Sequence, residues 1–284
     1  MPTNQQRREA AKRKLERQLT RRAERARRRR IVGVIVTVVA VVAAVGIVYW
    51  LANLGDSDNN AAANPTSTPE APPAKTTDGP CKYTDTSATE PASKDTGGMP
   101  TDPAETPKTG TVNVNLTTDQ GAIPLVLDRA KAPCTVQAIE FLAKAKYFDN
   151  TKCHRLTTTN GLKVLQCGDP SGQGSGGPGF TLPDEKPTDL KAGQPGPDGS
   201  PTVIYPRGVL AMANTGAPHS GGSQFFMVYG DSTLKADYTV FGTIDAAGLA
   251  VLDKVAAGGI AGEAGGQDGA PKIPVTIQTA TVAN

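Results

Sequence analysis

The chain has 284 residues, with 30 Lys and Arg against 27 Asp and Glu, two histidines and four cysteines. That length allows one or two domains, and two histidines without partners at ligand spacing argue against a zinc centre. Charge is segregated: the first thirty residues hold 13 basic and three acidic side chains, which leaves 17 basic against 24 acidic in a mildly acidic remainder.

Residues 31–54 then run for 24 positions without a charge. A helix of that length rises about 36 Å, enough to cross a hydrocarbon core of roughly 30 Å. Tyr49 and Trp50 stand at its far end, where amphipathic rings prefer the headgroup level. The run is longer than the roughly 7–15 apolar residues of a cleaved signal peptide. The arginine cluster ending at Arg30 abuts its near end, so the positive-inside rule predicts a single-pass cell-membrane protein with a cytoplasmic basic tail over 1–30. Membrane lipid is the partner expected of this segment. Basic residues so placed are a topology signal and a contact for anionic lipid, so no nucleic-acid partner is expected.

Residues 55–109 are dominated by Ala, Pro, Thr, Ser, Asp and Asn without apolar periodicity. Such a composition buries too little surface to offset the entropy of ordering, and it predicts a disordered, semi-extended linker. From residue 110 onward the pattern is that of a folded domain. Alternation over 111–116 and again over 122–128, across a DQG turn, predicts a hairpin. Pro133-Cys134-Thr135 opens a helical run with Val136, Ile139, Phe141, Leu142 and Phe148 on its apolar face. Short strands are expected near 153–157, 162–167, 208–213, 223–229 and 238–244, a second helix over 246–258, and a last strand over 275–282. Many short strands with Gly/Pro-rich turns and two helices predict a mainly β domain, a closed barrel or a sandwich with helices at its ends.

Familiar catalytic patterns fail on context. Gly172-x-Gly174-x-x-Gly177 matches a dinucleotide fingerprint as a string, but Pro178 follows and no helix does, so it reads as a surface loop. Ser220 and Ser223 lead into a strand, not into the helix of a nucleophile elbow. Asp184-Glu185 is the one adjacent carboxylate pair that invites attention, and a solvated turn is the expected reading. No metal or cofactor is implied.

Two segments carry a more specific signal. Cys153-His154-Arg155, then QCGDPSGQGSGGPGF over 166–180, then Pro183-Asp184-Glu185, resembles the first signature of the cyclophilins. GVLAMANTG over 208–216, GGSQFFMVYG over 221–230 and Tyr238-Thr239-Val240-Phe241-Gly242 resemble the second signature and the strand after it. The resemblance covers roughly 110–282 and extends to membrane-anchored bacterial members of actinobacterial type. It implies a closed eight-stranded antiparallel β-barrel capped by two α-helices, peptidyl-prolyl cis-trans isomerase activity, and proline-containing polypeptides as partners of a monomeric domain. With the predicted topology, it implies help in the folding of exported or cell-envelope proteins.

The resemblance assigns Arg155 the catalytic role. Gln166, Ala213, Asn214, Thr215 and Gln224 become substrate-binding positions. Phe226 becomes the floor of the proline pocket, with Val164 and Leu234 as its walls. Tyr238 stands where the family has a histidine. Residues 157–160 are an insertion, Lys163 falls where an aromatic wall is usual, and the tryptophan expected before Leu234 is missing. Weak cyclosporin binding and a more open pocket are the expected consequences, and a peptide-binding or chaperone module with little turnover is the competing function. Four cysteines allow three connectivities. Strands carrying Cys153 and Cys167 are expected to pair beside Arg155 and Gln166, which favours a bridge there and leaves Cys81 with Cys134. Buried free thiols are the alternative.

Overall fold

The structure, a computed structural model, describes residues 74–262 and 266–283. The basic tail, the 31–54 segment and the first part of the linker region lie outside the described residues. Among the described residues no helix is long and apolar enough to cross a membrane.

The elements follow the alternation. Strand β2 (Thr111–Thr118) buries every second residue and pairs along its whole length with β3 (Gly121–Asp128). Between them, Thr118 Oγ donates to the Gly121 carbonyl across the turn at 2.6 Å. Helix α1 (Pro133–Lys144) opens on a proline, whose missing N–H costs nothing in the first turn. Ala132 at its N-cap offers no side chain, and the carboxylate of Glu185 takes over that task. It accepts from the backbone N–H of Cys134 at 3.0 Å and of Thr135 at 2.8 Å, and from the Thr135 hydroxyl at 2.7 Å. Glu185 is therefore a helix cap and not part of a solvated turn. The helix also stops short of the predicted Phe148. Lys146 adopts φ 56°, and the N–H groups of Lys146 and Tyr147 bond back to the carbonyls of Ala143 and Leu142, a Schellman ending that satisfies the last carbonyls.

The remaining strands are β1 (Thr84–Asp85), β4 (Thr151–Lys152), β5 (Arg155–Thr157), β6 (Lys163–Cys167), β7 (Phe180–Thr181), β8 (Val203–Tyr205), β9 (Val209–Met212), β10 (Phe225–Gly230), β11 (Ser232–Leu234), β12 (Val240–Ile244), β13 (Asp268–Gly269) and β14 (Thr276–Val282). Helix α2 (Ala246–Gly258) is capped by Asp245, which accepts from the Gly248 N–H at 2.8 Å. Ten strands make one curled sheet in the order β13-β5-β6-β10-β9-β12-β3-β2-β14-β4, and β1-β7 and β8-β11 form two small antiparallel pairs. The count differs from the expected eight for a simple reason. β4 and β5 are one run of chain interrupted at Cys153-His154, and the two-residue β13 is added at the edge. At the interruption Cys153 N–H bonds to Val275 O beside β14, and His154 N–H bonds to Gln166 O in β6.

Strand alternation divides the apolar residues between the two faces of this sheet. Leu165, Cys167, Phe225, Met227, Leu210 and Met212 join α1, β2, β3 and β14 in the larger core. Val164, Phe226, Val228, Val209 and Ala211 face the other way into a smaller cluster with Tyr205 and Val240.

The predicted disorder of 55–109 is corrected where the chain is described. Residues 74–109 are folded onto the domain, with Cys81 and Tyr83 fully buried. Cys81 is bridged to Cys134 at the start of α1, and the Tyr83 hydroxyl donates to Cys134 O at 2.7 Å. The Asp102 carboxylate accepts from the N–H groups of Cys81 and Lys82 and from the Thr77 hydroxyl. A covalent bridge and buried polar anchors do here what apolar periodicity does elsewhere.

Candidate active site

One row across the sheet organises the site. Arg155 in β5 is paired with Gln166 in β6, Gln166 with Phe226 in β10, and Phe226 with Ala211 in β9. Directly opposed residues share a face, and adjacent strands lie about 4.8 Å apart. A cation, an amide and an aromatic ring thus stand abreast over roughly two strand spacings. Val164, two residues before Gln166, and Val228, two after Phe226, continue the same face and are paired with each other.

Hydrogen bonds lock the row. Arg155 Nη1 donates to Gln166 Oε1 at 3.2 Å, and Gln166 Nε2 donates to Gln224 Oε1 at 2.9 Å. Gln224 in turn donates to the carbonyls of Gly174 and Gly176 at 3.0 and 2.9 Å. Arg155 is also gripped in bidentate fashion by Asp268, Nε to Oδ1 at 2.7 Å and Nη2 to Oδ2 at 2.8 Å. Those bonds raise the guanidinium pKa further and lower that of the Asp268 carboxyl. The side chains of the pair remain 40% and 52% exposed, so Arg155 is accessible from solvent. Asp268 escaped the sequence reading because it lies in a glycine-rich loop over a hundred residues away. Only the β13–β5 register brings it beside the arginine.

Beside the row lies the apolar cluster around Phe226. Tyr238 meets the Phe226 ring edge-on at a centroid distance of 5.5 Å, and Tyr205 packs 6.3 Å from both. Leu234 and Ala213 pack against this cluster, as do Leu162, Leu190 and Val203. The last three, with Tyr205, were missed by sequence reasoning. Tyr205 and Val203 sit in the short β8, whose partner β11 carries Leu234. The expected gap at Lys163 takes a different form. Lys163 is paired with Gly230 and lays its stem over that glycine, while its neighbour Leu162 packs on the apolar cluster.

Asn214 holds the rim through its amide, donating to Asp237 O at 2.9 Å and accepting from Gly216 N–H at 3.0 Å. Thr215 lies next to it, and its N–H donates to the Ser220 hydroxyl oxygen at 3.1 Å. Ala213, Asn214, Thr215, Gln166 and Gln224 all border one cleft of about 400 Å³. His154, one residue before the arginine, lies outside this chemistry. Both its ring nitrogens are buried without a partner, and burial lowers its pKa. The second bridge, Cys153–Cys167, joins the residues flanking His154 and Gln166. Among the described residues no cluster of His, Cys, Asp or Glu could hold a metal ion.

A family model, cyclophilin type peptidyl-prolyl cis-trans isomerase/CLD, matches residues 113–282, well over half of the chain. The chain belongs to the cyclophilin family. It is 52% identical over 189 residues to a probable peptidyl-prolyl cis-trans isomerase B of Mycobacterium leprae, covering 64% of this chain and 59% of that protein. A protein of the same description from Mycobacterium tuberculosis strain H37Rv is 53% identical over 182 residues, with coverage of 64% and 56%. The chain therefore spans somewhat more than half the length of these relatives. Human peptidyl-prolyl cis-trans isomerase-like 1 is 35% identical over 147 residues, 50% of this chain and 78% of that protein. Among solved structures, a Cryptosporidium parvum cyclophilin superposes with a TM-score of 0.47 at 23% identity, covering 62% of this chain and 99% of that one. The row from Arg155 to Phe226 falls inside the matched stretch.

Proposed function

We propose that this domain catalyses cis-trans isomerisation of Xaa–Pro bonds in extended polypeptide segments, with Arg155 as the group that acts on the amide. The observation that carries the reading is the row in which Arg155, Gln166 and Phe226 stand abreast. The rotation barrier of roughly 18–20 kcal/mol comes from delocalisation of the amide nitrogen lone pair. As the bond twists, that density localises on nitrogen, and a fixed donor aimed at it binds the twisted state better than the planar one. A guanidinium suits the task because it stays charged and carries several donors. The apolar cluster around Phe226, with Val164, Leu234 and Tyr238, receives the proline ring. Gln166, Asn214 and Gln224 hold the flanking backbone. No bond is broken, so no nucleophile or cofactor is needed.

Three further readings belong to the proposal. The curled sheet is taken as the closed eight-stranded barrel of the family, supported by the two-sided bonding of Cys153 and His154. Residues 31–54 are taken as a single membrane span with the domain outside the cytoplasm. Charge segregation supports this topology, as do two disulfides of a kind that persist in oxidising compartments. Clients are then newly exported polypeptides, and the domain acts as a monomer with weak affinity for cyclosporin. The test of the activity is a rate assay on an Xaa–Pro peptide with the full-length chain in detergent. Arg155→Ala is expected to lower kcat/KM by about 100-fold, the scale of removing one transition-state donor. Equal rates for the two proteins would sink the assignment.

A further inference from the structure

Residues 84–93 lie outside the stretch matched to the family, yet they form one wall of the cleft that borders the site. The far wall carries Asn214, Thr215 and Gln224; the near wall is Thr86, Glu90, Pro91 and Ser93. This wall is fixed in place. β1 pairs with β7, and Thr86 N–H bonds to Gly179 O and Ser93 N–H to Gly177 O, both at 2.9 Å. The N–H groups of Thr89 and Glu90 both bond to Thr86 O, a turn that sets Glu90 at the cleft. Behind it, Lys94 spends its ammonium on the carbonyls of Lys146 and Asp149 at 2.6 and 2.8 Å. The glycine loop is shaped to accept this wall. A Cβ on Gly176 would run into Asp169 Oδ1 and Ser93 Oγ, and one on Gly179 would lie 3.2 Å from Ala92 N.

The electrostatic balance of the cleft is negative. Glu90 is the one charged side chain among the residues lining it, it is exposed, and its carboxylate has no ion pair with any described residue. Beneath the loop lies buried Asp169. Burial alone would raise its pKa, but bonds from Ser171 and the amides of Gly174 and Gly176 outweigh that and lower it. Arg155, bonded to Gln166 at the edge of the cleft, is paired with Asp268. Gln166 of the row, Gln224 bonded to it, and Ala213 of the apolar cluster all line this cleft, so it adjoins the site around Phe226.

We propose that Glu90 of the N-terminal extension makes this cleft select Lys or Arg beside the isomerised proline. The proposal rests on the isomerase reading and adds a substrate class to it. An exposed ion pair of this kind gives a modest, salt-sensitive preference of about 1.5- to fivefold.

The experiment uses the full-length chain in detergent and peptides with one Xaa–Pro bond. Lys, norleucine or Glu is scanned through each flanking position. At one position kcat/KM is expected to rank Lys above norleucine above Glu, with the spread shrinking in high salt. In Glu90→Gln the Lys-to-norleucine ratio falls to about one, and in Glu90→Lys the order of Lys and Glu reverses. A ratio is insensitive to the fraction of each variant that folds. No preference at any position in the wild type, or a lysine preference that survives Glu90→Gln, overturns the proposal. Absence of turnover on every peptide defeats the isomerase reading instead. The subsite is then decided by the same Lys-to-norleucine ratio in binding affinity, judged by the same two outcomes.

Discussion

At the scale of single residues, Asp268, which no motif announces, fixes the arginine of the site, and His154 bears on stability. Asp268 holds Arg155 by two charge-assisted bonds while Gln166 takes a third donor, which restricts the guanidinium to one orientation. Asp268→Asn is therefore expected to lower kcat about tenfold with KM little changed, and steady-state kinetics on one peptide separates the two. A larger rise in KM than fall in kcat would place Asp268 in peptide binding instead. Because the folded-state pKa of Asp268 lies below its ordinary value of 3.8, the pair is intact above that value and is lost as pH falls below it. The activity is accordingly flat in this respect from neutral pH down to weakly acidic solution. His154 acts on stability. Its folded pKa lies below the model-peptide value of 6.5 because burial disfavours the imidazolium, so the unfolded chain takes up a proton first as pH falls. Its contribution is present in full above 6.5 and declines below it. Denaturant midpoints from pH 7.5 to 5.5 should fall for the wild type and fall less for His154→Gln; equal slopes would contradict the assignment.

At the scale of elements, a carboxylate and a disulfide substitute for local sequence signals. Glu185 caps α1 from some fifty residues away, and Glu185→Ala should cost about 1 kcal/mol in urea denaturation, the usual worth of an N-cap. A change near zero would mean that water replaces the carboxylate without loss. The Cys153–Cys167 bridge spans 14 residues and sits between the strands that carry Arg155 and Gln166. Loop-closure entropy for such a span amounts to about 3 kcal/mol. Replacing both cysteines by serine should lower stability by that order and reduce kcat/KM on the same peptide, since the β5–β6 spacing sets the arginine's reach. Retention of full kcat/KM in the folded variant would show that strand pairing alone suffices. Elements with strong internal signals were legible from residues alone. The α2 span over 246–258 follows from its amphipathic run, and the β2–β3 hairpin follows from its alternation. Strands of two or three residues, β1, β8, β11 and β13, have no period to detect. They are formed by their partners, and with them went Tyr205, Val203 and Asp268.

For the whole molecule, the sheet was legible and its N-terminal extension was not. Alternation and turn residues carried the mainly β class, and the two signatures carried Arg155, Gln166 and Phe226 to one face. Residues 74–109 resisted because a disulfide, Tyr83 and Asp102 hold them in place of an apolar stripe. Composition alone makes such a segment look like a linker. It contributes Thr86, Glu90, Pro91 and Ser93 to the lining of the cleft that Gln166 and Gln224 also border. We propose that a fixed guanidinium beside an apolar proline pocket accelerates rotation about the amide. NMR exchange spectroscopy on an Xaa–Pro peptide at equilibrium, with the full-length chain far below stoichiometry, measures that rotation directly. Cross-peaks between cis and trans resonances within a second are predicted for the wild type, and their near-complete loss for Arg155→Ala. Exchange no faster than in free peptide, with broadening that reports binding, would contradict the claim.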